Sequence, residues 1–366
     1  MSLMERLNQR ALGLAVPLSV HLDVTYRCNE RCEHCYLEHD DRGEMTTAEI
    51  RDLLGQLQEA GVFFLTLSGG EPLVRRDCFE IIEYARSLQF NVKLKTNAVL
   101  IRSKEARRLK ALGVEQVQIS VYSHRAEVHD AVTKLPGSLR RTLEGIRLLR
   151  AQGLKVSVAN VLMNSNSGDS EGVRTLAGEV GAHYTLDPTI TPMMDGGTDV
   201  LKYRVPPSEL AAVFHNSALV GNVEEFCAPP QGVDDDILEG LPCSAGHTAC
   251  YVSPYGELYP CVQFPLSCGN VRRQRFLDIW QGSPQLREVR SIRAKDLDTC
   301  SACSHLGTCT RCPGLAYMEG DMRGPSAADC EKSFMRTGIP SARMMASASV
   351  PRPAALRSLI QIQLPA

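Results

Sequence analysis

The chain has 366 residues, 43% of them hydrophobic and 22% charged, and a formal charge of −2. Such a chain can bury a real core as one large domain or two ordinary ones, and its near-neutral balance excludes a general pull toward nucleic acid or anionic membrane. No apolar run is long enough to span a bilayer, and 14 cysteines grouped at ligand spacings point to metal binding in a reducing, cytoplasmic compartment rather than to a disulfide frame.

A short helix is expected before Pro17. The apolar run 11–20 is short, contains Pro17 and leads straight into a strand, so it does not read as a cleaved signal. Ser19–Thr25 alternates as that strand and delivers Cys28, Cys32 and Cys35 at C-x3-C-x2-C spacing. Thr46 with Glu49 forms a capping box that opens a helix to about residue 60, with Ile50, Leu53, Leu54 and Leu57 on one face, and Gly61 stops it. Residues 62–67 form a near-continuous apolar strand, followed by Gly69-Gly70-Glu71-Pro72 and a helix over 76–88.

The unit then repeats. Strands are expected at Asn91–Thr96, 116–121, 154–161 and His183–Asp187, with helices over 103–112, 138–152 and 168–180. Evenly spaced βα units imply parallel strands with right-handed crossovers, hence an α/β fold: a partial, six-stranded (β/α)6 TIM-like barrel, residues 1–190. In such barrels the chemistry sits at the C-terminal ends of the strands. The cysteine loop, Gly69–Glu71, Asn97, Ser120 and Asn160 all fall there. Residues 191–241 read as a linker with a short helix near 208–214. Residues 242–332 form a second domain organised by cysteines, and 333–366 read as a disordered or loosely docked tail.

Three thiolates on one short loop reach three corners of a 4Fe–4S cube and leave one iron open, as a catalytic site requires. The alternative is a zinc knot with His34 or His39 as fourth ligand, although zinc patterns usually pair C-x2-C with a second pair further on. In Gly69-Gly70-Glu71, glycines allow close backbone approach and a carboxylate can accept from an ammonium group; the plain reading is a strand-to-helix turn. The second constellation is Cys243, Cys250, Cys261, Cys300, Cys303, Cys309, Cys312 and Cys330. Eight thiolates suit two clusters. A zinc ribbon is the alternative, but only five residues separate Cys303 from Cys309. Lys93 and Lys95 share one face of the third strand, and a lysine turned into the barrel needs a partner. Tyr122 and His124 sit near the mouth and read first as structural, with radical relay or substrate contact as the alternative.

The cysteine loop, followed one βα unit later by Gly-Gly-Glu, resembles the radical SAM superfamily. Gly256-x4-Cys261, then Cys300-x2-Cys303-x5-Cys309-x2-Cys312 and Cys330, resembles its SPASM-bearing branch, with two residues before Cys312 where three are common. The resemblance implies a SAM-binding 4Fe–4S cluster on Cys28, Cys32 and Cys35 and two auxiliary clusters. One would take Cys243, Cys261 and Cys312 with Cys250 as fourth ligand, Cys227 and Cys268 being alternatives; the other would take Cys300, Cys303, Cys309 and Cys330. It implies SAM contacts from His34, Gly69, Gly70, Ser120 and Asn160, and pairing of Glu71 with the SAM amine. Related enzymes often carry an arginine shortly after a His-Asp pair; here Thr133 and Lys134 follow His129-Asp130.

The implied activity is reductive cleavage of S-adenosylmethionine to a 5′-deoxyadenosyl radical that modifies a peptide or protein by thioether or C–C crosslinking or a related oxidation. Only 27 residues precede Cys28, which suggests a separate leader-recognition protein, and the chemistry needs a reducing partner such as flavodoxin or ferredoxin. Val262, where sulfatase-maturing relatives carry an acid, argues against that activity. The alternatives are tailoring of a haem-type or quinone cofactor and, from another class, a ferredoxin-like electron carrier, which has no use for a SAM site.

Overall fold

The computed structural model of the chain describes residues 3–39 and 41–349. Six strands lie side by side in chain order, all parallel: β1 (Ser19–Thr25), β2 (Phe64–Gly69), β3 (Asn91–Thr96), β4 (Gln116–Ser120), β5 (Lys155–Val161) and β6 (His183–Asp187). Helices α1 (Leu3–Leu14), α2 (Thr47–Glu59), α3 (Cys78–Ser87), α4 (Ser103–Ala111), α5 (Ala126–Thr133), α6 (Ser138–Ala151) and α7 (Ser170–Glu179) precede or connect them. β6 ends the sheet, so the barrel stays open on that side.

Alternation sets the layers. Val20, Leu22, Leu65, Leu67, Val92, Leu94, Val117 and Ile119 are buried in the core shared with the helices. The residues between them, His21, Asp23, Lys93, Lys95, Gln118 and Ser120, line the lumen. α2 is anchored as its sequence dictates. Thr46 accepts from Glu49 N at 3.2 Å and Glu49 accepts from Thr46 N at 2.8 Å, while Ile50, Leu53, Leu54 and Leu57 are buried. Each such side chain contributes about 1.5–3 kcal/mol.

The second domain continues the same sheet. β7 (Ala249–Val252) pairs parallel with β1, Val20 opposite Cys250, and β8 (Glu257–Tyr259) and β9 (Gly269–Asn270) follow antiparallel. These strands have four, three and two residues, too short for a period to show in sequence. The expected linker is itself structured, with α8 (Pro207–Phe214), α9 (Ser217–Val220), α10 (Val223–Phe226) and α11 (Asp235–Glu239). Leu162 after β5 packs with Val205, Leu210, Val213 and Phe214.

Helices α12 (Phe276–Gly282), α13 (Pro284–Ser291), α14 (Asp298–Ser301), α15 (Pro313–Met318), α16 (Ala327–Thr337) and α17 (Ala342–Ser349) complete the second domain. The expected boundary at 332 and loose tail need correction: α16 runs through residue 332, and α17 begins with Ala342, whose N–H donates to Cys303 Sγ at 3.4 Å. The rest of the expected tail, 350–366, lies outside the described residues.

Candidate functional site

β1 delivers the cysteine loop to the C-terminal end of the sheet, and the end of α5 holds it there. Arg31 N donates to Thr133 O at 3.1 Å and Glu33 N to Val132 O at 3.0 Å. These bonds satisfy carbonyls that a helix C-terminus leaves open. Cys28 Sγ accepts from Glu30 N at 3.4 Å and Cys32 Sγ from the Tyr122 hydroxyl at 3.7 Å. The Asn97 amide lies 4.0 Å from Cys28 Sγ and donates to Asn29 Oδ1 at 2.8 Å.

Burial pushes all three thiols up, Cys28 to about 12, so they are protonated when free and release protons to a metal. Asn29 Nδ2, Glu30 Oε1 and His34 Nδ1, all in this loop, are buried without a hydrogen-bond partner. Three thiols ringed by unmet polar atoms fit a bound cluster and its ligand. Among the described residues no three His, Cys, Asp or Glu side chains converge on a single ion; a cube instead takes each thiolate on a different iron.

Gly69 and Gly70 lock the second strand's end to this loop. Gly69 has φ +137°, and a Cβ there would stand 2.1 Å from Thr25 O; one on Gly70 would stand 2.5 Å from Arg27 O. Gly70 N donates to Thr25 O at 2.8 Å and Glu71 N to Arg27 O at 3.0 Å. Glu71 is fully buried, and its carboxylate receives Leu73 N, the Thr96 hydroxyl and Asn97 N at 2.8–3.0 Å. Burial lifts its pKa to about 7. In this arrangement Glu71 braces the ends of β2 and β3.

His34 stands edge-on to Tyr122 with ring centroids 4.9 Å apart, and burial lowers its pKa to about 4, so the ring is neutral. Ser120 ends β4 on the lumen face and hydrogen-bonds the Tyr122 hydroxyl. Asn160 differs from expectation. It shares the helix-side face of β5 with Val158, its amide donates to Val121 O and Tyr122 O, and its carbonyl accepts from Tyr184. Fully buried, it shapes the end of β4 through these bonds.

In the second domain Cys300, Cys303, Cys309 and Cys330 line one cavity. Ser333 donates to Cys309 Sγ and Ala342 N to Cys303 Sγ, both at 3.4 Å. Cys261 lies within electrostatic range of Cys243 and of Cys312. Arg311 is buried beside both groups, bonded to Met322 O and Gly324 O, and its charge lowers the Cys300 thiol against the burial that raises it. Cys250, within electrostatic range of Cys261, also sits in the core. The strand face it shares with Val252 belongs to the apolar core, where Cys268, Ile279, Trp280 and Leu286 also pack, and its strongest thiol neighbour is Cys268. Cys78 is a core residue too, and Cys227 bonds Phe214 O.

Sequence reasoning passed over four residues around the lumen. Asp23, fully buried, accepts from the Tyr251 hydroxyl at 2.9 Å and pairs with His21 Nε2 at 3.1 Å, and Tyr26 meets Tyr251 at 2.6 Å. Glu30, raised by burial to about 7, accepts from the Cys32 thiol at 3.6 Å. Asp23 had a signal, a charge inside an apolar strand; Tyr251, Tyr26 and Glu30 had none.

The Radical SAM superfamily model matches residues 22–176, and that of the SPASM iron–sulfur cluster-binding domain matches 243–304. The mycofactocin maturase MftC of Mycobacterium ulcerans is 31% identical over 359 residues, 93% of this chain and 94% of that protein. The AdoMet-dependent heme synthase of Methanosarcina barkeri is 28% identical over 333 residues, 82% of this chain and 92% of that protein. Streptococcus suis SuiB bound to its precursor peptide SuiA superposes with a TM-score of 0.70 at 18% identity, over 89% of this chain and 79% of that one, a likeness of fold.

Proposed function

This chain belongs to the radical SAM superfamily, in its SPASM-bearing branch, and from that premise we propose that it modifies a peptide or protein substrate by thioether or C–C crosslinking or a related oxidation. Its cofactors are 4Fe–4S clusters and S-adenosylmethionine. Bound together at the barrel's end, these supply a carbon radical able to take hydrogen from an unactivated C–H bond. The protein's part is to hold, orient and enclose. Cys28, Cys32 and Cys35 are the ligands we assign to the SAM-binding cluster, with Tyr122 and Asn97 as donors toward their sulfurs. Gly69 and Gly70 let β2 close against the loop, and His34 and Ser120 border the SAM space. For the auxiliary clusters we assign Cys300, Cys303, Cys309 and Cys330 to one and Cys243, Cys261 and Cys312 to the other, with Cys250 left in the core.

One observation carries the reading: three thiols on a single loop, pinned by a glycine pair at the C-terminal end of a parallel sheet that runs on into a second cysteine domain. A reducing compartment suits so many free thiols, so a cytoplasmic site with a flavodoxin or ferredoxin donor and a separate leader-recognition protein completes the proposal. A second reading, tailoring of a haem-type cofactor, is favoured by the likeness to the heme synthase. Mass spectrometry of small peptides co-produced with the protein in anaerobic culture separates them. Loss of two hydrogens or a new crosslink supports peptide modification; unchanged peptides beside a converted iron porphyrin overturn it.

A further inference from the structure

Lys95 lies on the lumen face of β3, opposite Gln118 of β4. It is two residues, or roughly 6.6 Å of strand, below Asn97, whose amide reaches toward Cys28 Sγ. Its ammonium is within electrostatic range of Asp23, of Asp187 at the end of β6 and of Cys261 in the second domain. Lys95 thus stands between the first cysteine loop, which Asn97 reaches, and the second domain, represented by Cys261.

No side chain among the described residues is bonded to it. Asp23 is already bonded to His21 and Tyr251. Among the described residues the side chains of Lys95 and of Lys93, on the same face, make no hydrogen bond or ion pair. Burial disfavours the charged form, and Asp23, Cys261 and Asp187 offset this only in part. A cation desolvated in this way is costly unless an anion arrives. Asp187, one of the groups acting on Lys95, also lines a cavity of about 500 Å³ that reaches Cys312.

We propose that Lys95 is the anchor for a carboxylate of the substrate, holding it in the lumen between the SAM-binding loop and the Cys243–Cys261–Cys312 group. This rests on the radical SAM reading above and narrows it: the substrate carries a carboxylate, from a chain terminus, an acidic side chain or a porphyrin propionate, near the position that reacts. Lys95 is a positioning and specificity residue, not a group that joins the chemistry.

The test uses the full chain, anaerobically reconstituted, as wild type, Lys95→Met and Lys95→Arg, with iron content checked in each. N-acetylalanine and N-acetylalaninamide are the probes, their binding followed by ligand-detected NMR, and SAM affinity is measured in parallel. Wild type should prefer the acid over the amide by roughly tenfold, the worth of one charge-assisted hydrogen bond. Lys95→Met should bind both alike, Lys95→Arg should keep the preference, and SAM affinity should stay within about twofold throughout. Lys95→Gln replaces the methionine variant if that one does not retain iron. An acid preference that survives loss of the cation overturns the proposal, as does its absence in wild type. A fall in SAM affinity with Lys95→Met also overturns it, since the cation would then serve the cofactor. Failure of the underlying reading looks different: wild type would bind no SAM at all.

Discussion

Tyr122 turns its hydroxyl onto the sulfur of Cys32, donating at 3.7 Å from the far end of β4. A hydrogen bond to a cluster sulfur stabilises the reduced, more negative state and raises the potential. Tyr122→Phe should therefore lower the potential of the SAM-binding cluster, by roughly 40 mV if the bond is worth about 1 kcal/mol. Redox titration followed by EPR measures it. An unchanged potential would mean that Tyr122 is packing only, through its contacts with His34 and His129.

Gly70, just past β2, packs directly against the start of the cysteine loop. A Cβ there meets Arg27 O at 2.5 Å and Tyr26 O at 2.6 Å, backbone atoms that cannot swing aside. Gly70→Ala should cost about 1–3 kcal/mol and weaken SAM binding by moving the loop. Gly55→Ala, in α2 with nothing within 4 Å, is the control and should be neutral or slightly stabilising. Equal behaviour of the two variants in denaturant melts and SAM binding would refute this account of the glycine pair.

Iron content separates the two roles assigned to cysteines in the second domain. Cys250→Ala should keep the wild-type iron content and lose about 1 kcal/mol of stability, a small core truncation. Cys261→Ala should lose one cluster's worth of iron. If Cys250→Ala loses the same amount, its thiol is a ligand and the core placement is wrong.

His129 is buried, and its Nδ1 accepts from Tyr122 N at 3.2 Å. Burial holds its pKa at about 4 against an ordinary 6.5. Between those values the unfolded chain takes up the proton and the folded chain does not. The stability this residue contributes is thus complete above 6.5 and lost as pH falls toward 4, at up to about 1.4 kcal/mol per pH unit. His129→Asn keeps an acceptor for Tyr122 N but does not titrate. Denaturant midpoints across that window should fall more steeply for wild type than for the variant; equal slopes would contradict the buried neutral ring.

Much of this was legible because one face of each barrel strand meets helices. Period-two burial in Asn91–Thr96, the hydrophobic alternation of Ser19–Thr25, the Thr46–Glu49 box and the cysteine spacings are local patterns that sequence carries directly. What escaped was which way a side chain turns. Asn160 falls within its expected strand, but a shift of one residue reverses the face, and the residue type does not reveal it. α5 was missed because its eight residues mix polar and apolar positions without a clean stripe, although its last carbonyls hold the cysteine loop. The pairing of β7 with β1 joins residues more than two hundred apart, beyond any local pattern.

The most direct measurement is SAM cleavage by the anaerobically reconstituted chain with a strong reductant, comparing wild type with Cys32→Ala. Wild type should release 5′-deoxyadenosine and methionine. The variant should release none while retaining the iron of the second domain. No cleavage by wild type, or cleavage that survives the loss of Cys32, would contradict the assignment of Cys28, Cys32 and Cys35 as the SAM-binding site.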